Sequence, residues 1–338
     1  MEFSMEKNER GVRIALPSKG LLAEGSKDLL ASVGFRIHNP NPRQYKATIP
    51  RLPGVEVIFQ RPGDIVVSVR DGSIDFGITG RDVFLEKRDA NGSIIELHES
   101  LGFGKCTLNV IVPESLDGIH GVGDLNKLQQ FLQRPLKVAT KFPKLTKSFF
   151  KNNTNVEIRV IQAEGALEIA PTVGYADLIV DLVSTGTTLR DNRLRILRGG
   201  LILKSQACLI ANRSGLKTNS ETLDVARQLL ELIGAHLRAN EKVAVFANVR
   251  GESPQSIANL IFQKEAIAGL QGPTISRVYS EQGERLFAIH LIVRKDQLHK
   301  AIGEIREVGG SGVVVSPVNY IFEEEPPEII NMLAALED

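Results

Sequence analysis

Tryptophan is missing from all 338 residues, and aromatics amount to only 5%. Base-stacking platforms for single-stranded nucleic acid need successive aromatic faces, so that class is excluded. Net charge is nearly absent as well. Forty-one basic against 40 acidic residues leave +1, too little for a chain devoted to nucleic acid or to an anionic membrane. Two cysteines, Cys106 and Cys208, make no disulfide framework; they read as small buried hydrophobes and fit a reducing, cytoplasmic setting. No apolar run approaches the ~18 residues of a membrane helix. The six histidines, His38, His98, His120, His236, His290 and His299, show no HxxxH or HExxH spacing, which argues against a zinc site. Gly102-x-Gly104 and Gly121-x-Gly123 lack the third glycine of a dinucleotide fingerprint, and no GxxxxGK[ST] run occurs. The polar start MEFSMEKNER reads as a frayed tail, not as a signal or transit peptide.

What is present is length and alternation. With 42% hydrophobic residues, the chain can bury two or three cores. Strands are expected at 12–16, 55–59, 74–78, 106–112, 136–140, 156–161 and 178–183, with helices at 21–33, 63–71 and 82–88 and one opened by Pro143. This pattern predicts open, mostly parallel sheets with helices on both faces. Residues 201–211 read as one strand leading back out, and 221–238 as an amphipathic helix. After Asn240 the order becomes strand 242–249, helix from Ser253-Pro254, strands 274–279 and 286–293, helix 296–308 and strand 313–316. That is the βαββαβ, ferredoxin-like unit. The acidic end from Glu323 starts EEEPPE and then looks helical.

Four strand-to-helix turns share one chemistry: Pro17-Ser18-Lys19-Gly20, Thr79-Gly80-Arg81-Asp82, Thr140-Lys141-Phe142-Pro143 and Ser184-Thr185-Gly186-Thr187-Thr188. In open α/β sheets the ligand crevice lies at the carboxyl ends of strands. A cation at a helix N-terminus has the wrong sign for the dipole, and it makes sense there when an anion lies between it and the backbone. Taken singly, each turn is equally an ordinary cap with a solvated cation; four together point to a polyanionic ligand.

The most specific stretch is YADLIVDLVSTGTTLR at 175–190. Asp181 lies in an apolar run that reads as a buried strand, and a buried carboxylate is costly unless it is paired or bound to something. Asp177, four residues earlier, is expected on the same face. The hydroxyl-rich loop beyond can cradle a phosphate. Carboxylates for ribose hydroxyls followed by a loop for a 5′-phosphate form the logic of a phosphoribosyl diphosphate site. The other reading is a structural Asp held by an Arg, followed by a plain turn.

Several stretches then carry a resemblance: RIALPSKGLL at 13–22, RPGDI at 61–65, DFGITGRDV at 75–83, LGFGKCTLNVIVP at 101–113, VATKFP at 138–143, residues 164–189 and KSQACLIAN at 204–212. Together they resemble the long-form ATP phosphoribosyltransferase family of histidine biosynthesis. Thr187, Thr107 and Phe142 depart from that family's commonest residues. The resemblance implies an α/β fold with two periplasmic-binding-protein-like lobes (type IV phosphoribosyltransferase) and a C-terminal ferredoxin-like domain. The implied boundaries are 11–107 and 207–240 for the first lobe, 108–206 for the second and 241–338 for the third domain. It implies transfer of a phosphoribosyl group to ATP with loss of diphosphate, Mg²⁺ as cofactor, and feedback inhibition by histidine. It also implies a homo-oligomer exchanging between hexamer and dimer.

Under that resemblance Asp177 and Asp181 hold the ribose hydroxyls, with Asp181 also the metal candidate. Ser184, Thr185, Gly186, Thr187 and Thr188 hold the 5′-phosphate. Lys19, Gly20, Arg61, Arg81, Lys141 and Glu168 serve ATP or pyrophosphate, with Lys19 and Arg61 also counted among the catalytic residues. Thr274, Ser276 and Ser311 are expected to bind histidine. The rival class is a non-catalytic two-lobe anion binder or regulatory subunit, and neither nucleic acid nor membrane is expected as a partner.

Overall fold

The computed structural model describes residues 11–41, 44–270, 272–279 and 285–337; the tail 1–10 and its expected fraying lie outside the described residues. In chain order the first sheet is entered by β1 (Arg13–Pro17), α1 (Leu21–Ser32), β2 (Lys46–Thr48), β3 (Glu56–Gln60), α2 (Pro62–Arg70), β4 (Phe76–Gly80), α3 (Arg81–Lys87) and β5 (Ile94–His98). The chain then crosses to a second sheet through β6 (Cys106–Pro113), α4 (Leu125–Leu132), β7 (Leu136–Thr140), α5 (Pro143–Asn153), β8 (Ile158–Gln162), α6 (Ala170–Val173), β9 (Leu178–Val183), α7 (Thr187–Asp191) and β10 (Leu194–Ser205). It returns with β11 (Ala207–Asn212), α8 (Arg213–Thr218) and the long α9 (Ser220–Asn240).

The first sheet runs β2-β3-β1-β4-β11-β5 and the second β10-β6-β9-β7-β8. Two of these strands correct the single strand expected at 201–211. The apolar run breaks at Gln206, with β10 ending one sheet at Ser205 and β11 entering the other at Ala207. The expectation of mostly parallel sheets is also corrected. Among the described residues, four pairings in these two sheets are parallel (β1 with β3 and β4, β7 with β8 and β9) and five are antiparallel. Four of the antiparallel pairings are made by β6, β10 or β11, the strands on which the chain crosses between sheets and comes back, and so reverses direction.

Each sheet carries its own core. Val110, Val138 and Val180 from the middle of the second sheet pack with Leu125, Leu128 and Phe150 from its helices. Ala15, Cys208 and Ile210 from the first sheet pack with Ile65, Val66 and Val69 of α2. Val83 of α3 packs against both clusters. Among the described residues, those up to 228 and from 328 onward form one compact unit and those from 229 to 327 a second. The last helix, α12 (Pro327–Glu337), lies in the first unit apart from its opening residue, whereas the sequence grouped 241–338 together.

The second unit holds β12 (Lys242–Arg250), α10 (Pro254–Phe262), β13 (Thr274–Val278), β14 (Leu286–Arg294), α11 (Leu298–Glu307) and β15 (Gly310–Pro317). Its sheet is fully antiparallel in the order β13-β14-β12-β15, the ferredoxin-like arrangement. Alternate residues Val243, Val245, Ala247 and Val249, with Phe287, Ile289, Leu291 and Val293, face Ile257 and Ile261 of α10 and Ala301 and Ile305 of α11. Ser253 caps α10 by accepting a hydrogen bond from the Ser256 amide at 3.2 Å.

Candidate active site

At the carboxyl ends of β1 and β3, Ser18, Lys19, Lys27, Arg61 and Asp64 line one cavity of about 680 Å³. The parallel register Pro17↔Gln60 puts the two turns side by side, and the Ser18 amide donates to the Gln60 carbonyl at 2.9 Å. Gly20 opens α1 at φ 75°, a conformation that costs glycine nothing, and no atom lies within 4 Å of where a Cβ would stand. Lys19 and Arg61 are exposed and make no ion pair among the described residues. The same cavity has an apolar wall. Phe59 carries the Lys27 ammonium 5.3 Å over its ring, and Tyr45, 72% exposed, stands at the rim. Cations beside an aromatic surface suit a phosphorylated ligand with a flat or apolar portion.

The second sheet presents the other station. β9 lies between β6 and β7, so the registers Asn109↔Asp181 and Thr140↔Val180 flank Asp181 with Asn109 and the Lys141 turn. Burial pushes the Asp181 carboxyl above its ordinary range; the Leu182 amide (2.8 Å) and the field of Lys141 oppose this, and Glu168 adds to it. No cation pairs with Asp181 among the described residues. A carboxylate kept half-buried without a direct ion-pair partner is costly in the free protein and is expected where a ligand or ion completes it. Just beyond, Ser184, Thr185, Thr187 and Thr188 are exposed around Gly186, which sits at φ 75°. The hydroxyls of Thr185 and Thr187 are 3.3 Å apart. No three His, Cys, Asp or Glu side chains form a metal-holding group among the described residues. One unpaired carboxylate beside an open hydroxyl loop nevertheless fits Mg²⁺, which is commonly held by one or two carboxylates together with a substrate's phosphates.

Two candidates are not brought to these stations. Asp177 stands at the opposite, amino end of β9, about 13 Å along the strand from Asp181. Arg134 donates to both of its oxygens at 2.7 and 2.8 Å, and the Lys137 amide adds a third bond at 2.7 Å. Burial raises its pKa, but these donors outweigh burial, and the carboxyl ends below its ordinary range. Its place on the strand therefore fits the structural alternative, an Asp held by an Arg. Arg81 is likewise occupied. It donates to Glu96 at 2.8 and 3.3 Å and pairs with Glu99 at 2.8 Å, so its charge is already answered. In the second unit, Thr274 and Ser276 lie on the edge strand β13 and Ser311 on the opposite edge strand β15, three strand spacings or about 14 Å away.

Some residues at these stations carried no signal in the sequence. Tyr45 and Asn39 enter the first cavity from loops, Phe59 from the end of β3 and Lys27 from α1. Asn109 is buried on β6, its amide donating to the Thr107 carbonyl and hydroxyl at 3.0 and 2.8 Å. The run CTLNVIV gave a visible strand, and Asn109 within its apolar stretch LNVIV was the available clue. Between the two sheets, a second cavity of about 380 Å³ is lined by Gly63, Val83, Glu86, Lys87, Lys141, Phe142, Glu164 and Gly165. At the crossing, Ser205 donates to Asp82 at 2.6 Å, and burial raises the Asp82 carboxyl. Burial also pushes the neighbouring Cys106 thiol up to about 11, and Cys208 is fully buried.

Known proteins are similar in sequence to nearly the whole chain. The family profile described as HisG: ATP phosphoribosyltransferase matches residues 61–234, and that of HisG, C-terminal domain, matches 239–320. The Arabidopsis thaliana protein named ATP phosphoribosyltransferase 2, chloroplastic, is 42% identical over 332 residues, covering 96% of this chain and 80% of that relative. ATP phosphoribosyltransferase of Methanosarcina barkeri is 33% identical over 312 residues, covering 92% of this chain and 99% of its own. Among solved structures, the ATP phosphoribosyl transferase (HisG:HisZ) complex from Thermotoga maritima aligns with a TM-score of 0.51 and 26% identity, over 66% of this chain and 98% of the other. With cations on one sheet, an unpaired carboxylate and hydroxyl loop on the other, and both profiles in sequence order, the chain belongs to the ATP phosphoribosyltransferase family, the pentosyltransferases of histidine biosynthesis.

Proposed function

We propose that the protein transfers the phosphoribosyl group of 5-phosphoribosyl 1-diphosphate to ATP, giving 1-(5-phosphoribosyl)-ATP and diphosphate. The observation that carries this is Asp181, a half-buried carboxylate with no ion-pair partner among the described residues, directly before the open loop Ser184–Thr188. Asp181 takes the ribose hydroxyls, and the loop amides and hydroxyls take the 5′-phosphate. Lys19 and Arg61, with Lys141, balance phosphate and pyrophosphate charge, and Glu168 orients the nucleotide. Adenine N1 forms the new bond to the anomeric carbon as the bond to pyrophosphate breaks and the electron pair leaves with it. The protein aligns two polyanions and stabilises the departing charge, with no covalent intermediate required. Mg²⁺, held by Asp181 and the substrate's phosphates, supplies charge neutralisation when bound.

The same reading takes the second unit as a histidine-responsive regulatory domain. Thr274 and Ser276 on one sheet edge and Ser311 on the other suit an amino acid held between copies of a homo-oligomer better than one held within a single chain. A hexamer–dimer exchange and a cytoplasmic setting belong to this reading. Among the described residues no helix is long and apolar enough to cross a membrane.

The test is a coupled assay for pyrophosphate release from ATP, phosphoribosyl diphosphate and Mg²⁺, run with and without histidine. Release that histidine suppresses is the expected result. No release from folded protein that still binds both anions would turn the reading to the non-catalytic binder.

A further inference from the structure

We propose that Glu86 is a positioning residue for the reaction, clamping the two catalytic sheets at the spacing their substrates need. Helix α5 begins without a cap of its own. Its N-cap residue is Phe142, whose side chain accepts nothing, and Pro143 follows. The next two amides find their acceptors in the other half of the unit: Lys144 N donates to Glu86 Oε1 at 2.8 Å and Leu145 N to Glu86 Oε2 at 2.9 Å. A carboxylate on α3 thereby does what an N-cap side chain normally does from the adjacent residue, and its charge suits the positive end of the helix. The favour is returned at the other helix end, where Lys144 Nζ donates to the Arg88 carbonyl at 2.9 Å, the C-cap of α3. Val83, one turn back on α3, packs against both cores.

Two reciprocal caps and a shared apolar residue make α3 and α5 one joint. What that joint holds follows from the registers. The turn that opens α5 carries Lys141, beside Asp181; α3 follows β4, which neighbours β1, and the turn after β1 carries Lys19. The spacing between the two ligand stations is therefore set at Glu86. Glu86 also lines the cavity of about 380 Å³ between the sheets, next to Lys141 and Gly63. The assignment of the stations rests on the proposed function; the clamp itself does not.

The test uses Glu86→Ala and Glu86→Gln in the full chain. A glutamine retains one acceptor and turns its amide N–H groups on the second helix donor, so it falls between wild type and alanine. In Glu86→Ala, turnover at saturating substrates should fall about tenfold, the factor that ~1.4 kcal/mol of lost alignment represents. The separate dissociation constants of ATP and of phosphoribosyl diphosphate should stay within about twofold, because no contact to either substrate is assigned to Glu86 itself.

A second readout is independent of activity. Spin labels at Glu24→Cys on α1 and Gln130→Cys on α4 report the distance between the halves. Cys106, with its thiol pushed up to about 11, stays largely unreactive beside them. The distance distribution should broaden in Glu86→Ala. Lys144→Met, which leaves the amide bonds and removes the Arg88 contact, should show the same broadening to a smaller degree. It carries the test if Glu86→Ala does not fold.

Unchanged distances in both variants would overturn the clamp. Broadening with full turnover would overturn the positioning role, as would an equal loss of turnover and of binary affinity, which marks a direct substrate contact. If the assigned reaction itself were at fault, wild type would also fail to turn over while the distances still reported the joint.

Discussion

Asp181 and Asp177 share a strand and differ in what answers their charge, which gives them opposite signatures in pH. Burial holds the folded Asp181 carboxyl above its unfolded value. Its stabilising contribution is present below the unfolded value of about 3.9 and is lost as pH rises through the folded one. Asp181→Asn should therefore raise the melting temperature of the ligand-free protein near neutrality, lose that advantage in acid, and lose most turnover and phosphoribosyl diphosphate affinity. Thermal melts from pH 3 to 8 beside steady-state kinetics check this; normal kinetics would remove Asp181 from the mechanism. Asp177 runs the other way. Its folded pKa lies below the unfolded one, so its contribution is present above the unfolded value and lost as pH falls through the folded one. Asp177→Asn should melt earlier near neutrality, converge with wild type in acid, and keep its turnover. Arg81→Ala should likewise appear in the melt, since Glu96 and Glu99 lose their partner. Lys19→Ala or Arg61→Ala should instead weaken pyrophosphate binding about tenfold or more, the scale of a charge-assisted hydrogen bond. Competition binding with pyrophosphate separates the two patterns.

Among the elements, the loop before α7 carries a backbone requirement at the candidate phosphate site. Gly186 sits at φ 75°, and the nearest atom to a Cβ there is Val183 Cγ1 at 4.0 Å. Gly186→Ala is therefore opposed by conformation and not by crowding, at about 1–2 kcal/mol. Because the loop is exposed, that strain should be relieved by moving it: a modest change in melting temperature with a several-fold loss of phosphoribosyl diphosphate affinity, measured by calorimetry. Loops like this were legible in the sequence by residue type, and strong periodicity placed several elements closely, β7 at 136–140 among them. Other elements were hidden for physical reasons. β2 has three residues, and the partner of β5 is β11, over a hundred positions downstream. The break at Gln206 carries no turn residue, because the chain there changes sheets without turning back. The occupants of Arg81 and Asp177 lie 15 and 43 residues away, at separations no helical or strand period relates. Chemical type was visible at each candidate, but whether its charge was already spoken for was not.

For the whole molecule, the last helix returns to the first compact unit and does not stay with the residues just before it. Met332 on α12 is 1% exposed, and residues 328–338 belong with the first compact unit. Met332→Ala should destabilise that unit by about 2–5 kcal/mol, readable by denaturant titration. The same fact changes how the regulatory reading is tested. Ending the chain after Asn240 also removes α12, so lost histidine inhibition would be mixed with a weakened catalytic unit. Replacing 241–326 by a short linker keeps α12, and that variant should turn over without responding to histidine. The position of β11 has a further consequence, for the order in which the protein can be made. It lies between β4 and β5 in the first sheet, yet it is translated only after the entire second sheet. At roughly 5–20 residues per second, the ribosome needs on the order of 6–20 seconds to travel from β5 to β11. For that interval β4 has an open edge and β5 has no neighbour, with the apolar side chains of both waiting for a strand that does not yet exist. The second sheet, contiguous from β6 to β10, can close first. A nascent chain stalled in this window should be the form most readily captured by chaperones and most prone to pair its bare strand edge with another chain.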